Sequence, residues 1–111
     1  LFYCYVACAD DKVLGFALYY YKYSTWKGKS LYLEDLLIDE PYRRSGLGMR
    51  LLKTLIAEAR DKACGRMEWQ VLDWNHPAIE AYKKLDPIFE DDWLNVKLLP
   101  SDFERILNAG I

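Results

Sequence analysis

The stretch YRRSGLGMRLLKTL, residues 42–55, decides the fold. Ahead of it lies an almost wholly apolar run, 31–39, and behind it apolar residues recur at helical spacing. Two glycines, Gly46 and Gly48, stand where a helix has to nucleate, with Arg43 and Arg44 just before them. Glycine is a poor helix former, so its use at a helix start points to backbone that must come close to something. Bare N–H groups at a helix N-terminus suit an anion, with the helix dipole behind them and arginines alongside. A tight strand–helix connection with solvated arginines is the plainer reading of the same residues.

Two familiar phosphate loops are excluded. No Gly-Lys-Ser/Thr follows, so this is not a P-loop. Gly46 and Gly48 supply the first two glycines of a dinucleotide fingerprint, but Leu51 occupies the third position, where close helix–sheet packing needs a small residue. What survives is R-x-x-G-x-G, formed by Arg43, Gly46 and Gly48.

Working outward, 111 residues make one domain, 1–111, with room for a single core. A net charge of −2 leaves no electrostatic footprint for nucleic acid, although an anionic cofactor needs only a local positive site. Nine tyrosines and four tryptophans imply a large core, an interface or a lined cleft. The three cysteines have no metal-ligand or redox spacing, and no metal site is expected. Cys4 and Cys8 are too far apart along one strand to bridge, and all three read as small buried hydrophobes. This usage, with no signal peptide and no run of about 18 apolar residues, points to the cytoplasm and away from a membrane. The chain opens in LFYCYVACA, already alternating as a strand does, so further chain is expected before Leu1.

Alternation predicts strands over 2–9 and 13–23 around a turn at 10–12, a loop in STWKGKS, and a central strand over 31–39. From Gly46, Leu47, Leu51, Leu55 and Ala59 form one helical stripe, while Arg50, Lys53, Glu58 and Arg60 take the other face; Gly65 should end the helix. A strand over 67–72 follows. Asn75 is placed to cap a short helix with Pro77 in its first turn, running to about Leu85. A last strand over 93–99 and a helix over 102–108 capped by Ser101 complete the order β-β-β-α-β-α-β-α, an α/β fold with a mixed sheet.

Strand, R-x-x-G-x-G, amphipathic helix, strand, then W-N-x-P-A-I-x-x-Y on a short helix resembles the GCN5-related N-acetyltransferases (GNAT). YLED (32–35), YSTWKG (23–28), LDWN (72–75) and Tyr82 are similar to that family's diamine acetyltransferase branch, and the resemblance covers nearly all of the chain. It implies a GNAT fold, with a mixed, mostly antiparallel sheet flanked by helices. The family's N-terminal strand and helices have no counterpart here. Asp86-Pro87 also replaces the glycine usual after the tyrosine helix, leaving the path to the last strands open. The resemblance further implies acetyl-CoA as cosubstrate, direct transfer to a primary amine in a ternary complex, and a homodimer to which the last strand and SDFERIL contribute. A thialysine- or lysine-like acceptor is expected, because Ser24 stands where polyamine-specific relatives carry an aspartate, and Lys27 and Lys29 lie nearby. Polyamine acetylation, transfer to a peptide amine, and a non-catalytic acyl-CoA-binding module are the alternatives.

Residue by residue, the resemblance assigns Arg43, Arg44, Ser45, Gly46, Leu47, Gly48 and Met49 to the pyrophosphate. It assigns the backbone of Leu36, Leu37 and Ile38 to the pantetheine, and Asn75, Pro77 and Ala78 to the same cofactor. Tyr82, by periodicity a core tyrosine, corresponds to the residue that protonates the departing thiolate. Glu34 corresponds to the acid at the acceptor amine. Adjacent strand residues face opposite sides, so without a bulge only one of Glu34 and Asp35 enters a given cleft; Asp35 is expected to be paired with an arginine or tyrosine. Trp26, Ser24, Glu68, Trp69 and Gln70 match acceptor-side positions. His76 reads as a surface residue near the cap, and Trp74 as packing.

Overall fold

The structure is a computed structural model that describes residues 1–26, 28–72, 74–90 and 94–110. Strands β1 (Tyr3–Ala9) and β2 (Lys12–Ser24) form a hairpin. Asp10 and Asp11 both take positive φ at its turn, which matches the right-handed twist of the strands they join. Strand β3 (Gly28–Ile38) starts three residues before the expected boundary. Gly28, Lys29 and Ser30 pair with Ser24, Tyr23 and Lys22, so most of STWKGKS is strand. The long β2 extends a hydrogen-bonding edge that overrides the polar composition.

A 3-10 turn (Glu40–Tyr42) leads to α1 (Leu47–Asp61). Gly65 does not end this helix: Ala63 takes the left-handed conformation, Cys64 N–H closes onto Ala59 O at 2.9 Å, and Gly65 N–H donates to Lys29 O at 2.8 Å. Strand β4 (Arg66–Val71) then runs parallel to β3. Helix α2 (His76–Lys83) is capped as expected, Asn75 Oδ1 accepting from Ala78 N–H at 3.4 Å. Asp86, at φ 50, does the work of the absent glycine and turns the chain into β5 (Ile88–Glu90), a strand too short to show as periodicity. Strand β6 (Leu94–Leu98) and helix α3 (Pro100–Asn108) follow; Trp93, expected to begin the last strand, lies outside the described residues. The cap of α3 is not Ser101: the Asp102 carboxylate accepts from Leu99 N–H at 2.9 Å.

Among the described residues the sheet order is β1-β2-β3-β4-β6-β5, with β3–β4 the single parallel joint. One face carries the core. Ala17, Leu31, Met67 and Val96 of the sheet meet Leu55 and Ile56 of α1, Phe103 and Ile106 of α3, and partly buried Ala78 and Tyr82 of α2. Phe103 and Ile106 of SDFERIL are thus buried inside the subunit and Leu107 is partly buried against the same core, so the apolar stripe of this segment is accounted for without a dimer interface. Glu58 is not on the solvent face either; it accepts from Tyr5 Oη at 3.0 Å and Tyr21 Oη at 2.7 Å. Cys64 is buried, but Cys4 and Cys8 are exposed on the edge strand. Trp74 is exposed rather than packed. Among the described residues no helix is long and apolar enough to cross a membrane.

Candidate active site

Strands β3 and β4 pair only through Ser30↔Arg66, Leu31↔Met67 and Tyr32↔Glu68. Beyond these, Leu33, Leu36 and Leu37 of β3 pair only with β2, and Trp69, Gln70 and Val71 of β4 only with β6. The two strands part and leave a wedge. Two cavities meet there. One, of about 210 Å³, is apolar and runs between Leu36 and the helices, lined by Gly48, Met49, Leu52, Ala78 and Tyr82. The other, of about 160 Å³, is polar and presents Glu34, Asp35 and Gln70 together with Trp69. Leu36 and Tyr82 line both. A larger cavity, of about 490 Å³, lies between β1 and α1, but its lining includes no carboxylate and no glycine of the loop. Size does not mark the site here; convergent polar groups do.

A β-bulge brings in Glu34. The register passes from Leu18↔Asp35 to Tyr19↔Leu33, leaving Glu34 with no partner on β2. Bulges re-aim side chains, and this one lets both adjacent carboxylates line the polar cavity. Asp35 is not paired as expected: it is exposed, and among the described residues no arginine or tyrosine bonds to it. Tyr82 rests edge-on against Trp69, with ring centroids 5.3 Å apart. Burial pushes its phenol up, so it stays protonated through neutral pH. Trp69 Nε1 is a buried donor without a partner among the described residues. Such groups are rare, because an unmade bond costs roughly 1–3 kcal/mol.

The glycine loop is built for exposed backbone. Gly46 caps α1 at φ +85, where a side chain would be strained although space is open. At Gly48 a Cβ would sit 3.7 Å from Ile38 Cγ1, an ordinary contact, so nothing inside the protein demands a glycine there. The helix start has neither a side-chain cap nor an acid in its first turn. Its first intrahelical bond is Arg50 N–H to Gly46 O at 3.1 Å, so the N–H groups of Leu47, Gly48 and Met49 have no intrahelical acceptor. Arg43 Nε donates to Ile38 O at 3.0 Å and ties the loop to the end of β3. Ser45 Oγ donates to Tyr42 O, and Arg44 itself takes positive φ.

Other expected residues divide. Ala78 lines the apolar cavity, Gln70 and Trp69 the polar one. Asn75 caps α2, while Pro77 is exposed in its first turn and lines neither cavity. The Leu37 side chain points outward, half exposed. Glu68 is ion-paired with Arg66 at 3.4 Å on the sheet face away from the helices. Ser24 and Trp26 are not brought to the wedge. They form a hairpin tip, with Trp26 N–H on Ser24 Oγ at 3.1 Å and Trp26 94% exposed, about 20 Å along β3 from Glu34. Lys29 lies over Tyr21 at 4.5 Å, on the helix side, and Lys27 lies outside the described residues. Sequence reasoning missed Lys22, whose Nζ sits 4.4 Å over the Tyr32 ring. Alternation places it on the face of Tyr20, but only the hairpin register sets it beside Tyr32.

A glycine-rich helix start thus feeds a wedge between parted parallel strands, with a protonated tyrosine at the junction. The chain belongs to the acetyltransferase (GNAT) family, whose model matches residues 2–86. It is similar to thialysine N-epsilon-acetyltransferase of Bos taurus, 45% identical over 73 residues, covering 66% of this chain and 43% of that protein. The protein of the same name from Caenorhabditis elegans is 46% identical over 82 residues, 74% of this chain and 51% of that one. The chain thus spans about half the length of these curated relatives. Among solved structures it resembles the NatC complex bound to Gag peptide and CoA, with a TM-score of 0.78 at 14% identity over 86% of this chain and 70% of that one. At that identity the likeness concerns the GNAT fold alone.

Proposed function

We propose that this protein transfers the acetyl group of acetyl-CoA to the primary amine of a small, lysine-like acceptor, by direct attack in a ternary complex. The observation that carries this reading is the meeting of an apolar and a polar cavity at Tyr82. The residues present fit the cosubstrate: uncapped N–H groups at Leu47, Gly48 and Met49 suit a diphosphate, with Arg43, Arg44 and Ser45 beside them. The apolar cavity and the open edge of β3 at Leu36, Leu37 and Ile38 suit the pantetheine arm, and Ala78 and Ala81 close its far side, on the helix that Asn75 caps. When bound, acetyl-CoA supplies an activated thioester.

An ammonium has no free lone pair, so a base must remove a proton before attack. Glu34, on the polar side, is positioned to take it directly or through water. Tyr82, held protonated by burial, is positioned to give a proton to the leaving thiolate. The similarity to proteins named thialysine N-epsilon-acetyltransferase supports a lysine-like acceptor. Exposed free cysteines fit a reducing compartment such as the cytoplasm. Turnover of acetyl-CoA by the full-length protein with thialysine, lysine, spermidine and a peptide amine tests the reading. Thialysine or lysine should give the highest kcat/KM. Spermidine ahead by tenfold would overturn the acceptor, and CoA binding without turnover on any amine would leave a binding module.

A further inference from the structure

On the sheet face away from the helices the ladder lines up a row of unlike side chains. Tyr20 stands opposite Tyr32, Tyr32 opposite Glu68, and Lys22 opposite Ser30. The Tyr20 and Tyr32 rings are 5.3 Å apart, and the Lys22 ammonium lies 4.4 Å above the Tyr32 ring. Burial first, and then the charges of Glu34 and Glu68, push the Tyr20 phenol up; the same carboxylates act on Tyr32. Gln70, two residues beyond Glu68 and so on the same face of β4, lines the polar cavity together with Glu34, so that cavity borders this face. Glu68 is already held by buried Arg66. Among the described residues Lys22 makes no ion pair, and it is exposed. It is a cation held over the ring of Tyr32, two residues along β3 from Glu34.

Tyr32 precedes Glu34 by two residues, a strand step of about 6.6 Å. A short amino acid with a side-chain amine carries an ammonium at one end and a carboxylate at the other, and its aliphatic chain spans such a step. A polyamine brings a second ammonium to the same place. We propose that Lys22 is a specificity-determining residue, which receives the carboxylate of an amino-acid acceptor and repels the additional charge of a polyamine. This rests on the proposed acetyl transfer but assigns the discrimination to β2 rather than to the hairpin tip.

The test compares lysine with pentane-1,5-diamine, which is lysine without its carboxylate, on the full-length protein. Lys22→Gln should raise KM for lysine about tenfold and lower it for the diamine, leaving kcat and the acetyl-CoA KM within about twofold. Lys22→Glu should push the preference further toward the diamine, and Lys22→Arg should restore the wild-type ratio. An unchanged ratio in an active Lys22→Gln variant overturns the inference. So does Lys29→Gln, on the helix side, shifting the ratio equally. Should wild type acetylate neither amine, lysine fails as the acceptor by itself. Calorimetric binding of lysine and the diamine to wild type and Lys22→Gln then decides the inference separately: the same shift in binding ratio upholds it, and no shift overturns it.

Discussion

Replacing Gly48 by alanine separates what the fold needs from what a ligand needs. A methyl group at this position would meet only Ile38 Cγ1, at 3.7 Å, so it fits without displacement. Alanine also relieves the conformational cost of glycine in the first turn of α1, up to about 1 kcal/mol, which in a domain of this size raises Tm by about 4 °C. The same methyl group projects at the mouth of the 210 Å³ cavity, beside the uncapped N–H groups. If a phosphate oxygen loses one charge-assisted bond, the cost is roughly 1.5–3 kcal/mol, or roughly a 10- to 150-fold weaker CoA affinity. Gly48→Val, which carries a bulkier side chain, should lose more. Thermal unfolding and isothermal calorimetry with CoA measure the two effects independently. A variant that is as stable as wild type or more so, and binds CoA with unchanged affinity, would refute the cofactor role of the loop.

Tyr82→Phe keeps the ring against Trp69 and deletes one hydroxyl; kcat should fall by roughly 10²–10⁴-fold while the acetyl-CoA KM changes little, and a near-normal kcat would remove the proton-donor role. Glu34→Gln should slow turnover most near neutral pH and least at alkaline pH, where the amine is already neutral, as a pH–rate profile would show. Glu58→Ala leaves the hydroxyls of Tyr5 and Tyr21 without their acceptor and should destabilise by roughly 1–3 kcal/mol in urea unfolding, with CoA affinity unaffected. Burial, joined by the Glu58 charge, raises the phenols of Tyr19 and Tyr21 well above the ordinary tyrosine value. Their folded state holds protons that the unfolded chain releases, so stability should be intact below about pH 10 and fall above it, by up to about 1.4 kcal/mol per pH unit for each phenol; flat stability from pH 9 to 11 would contradict this.

The glycine loop, the amphipathic α1, the alternating strands, the Asn75 cap and the inward face of Tyr82 were legible in the chain, because each is a local matter. Periodicity reports which side of an element is apolar, and caps and left-handed turns act within a few residues. The sequence was silent or misleading where a distant partner decides. Glu34 and Asp35 share a cavity only because the β2–β3 register slips by one residue, and a bulge is a property of two strands together. The wedge exists because β3 and β4 pair over three residues and then part, which neither strand's composition announces. Glu58 turned inward because two tyrosines from other strands offer hydroxyls to its carboxylate, outweighing its polar helical neighbours. Lys22, near Tyr32 but not near it in the chain, became visible only through the ladder that sets one strand against the next.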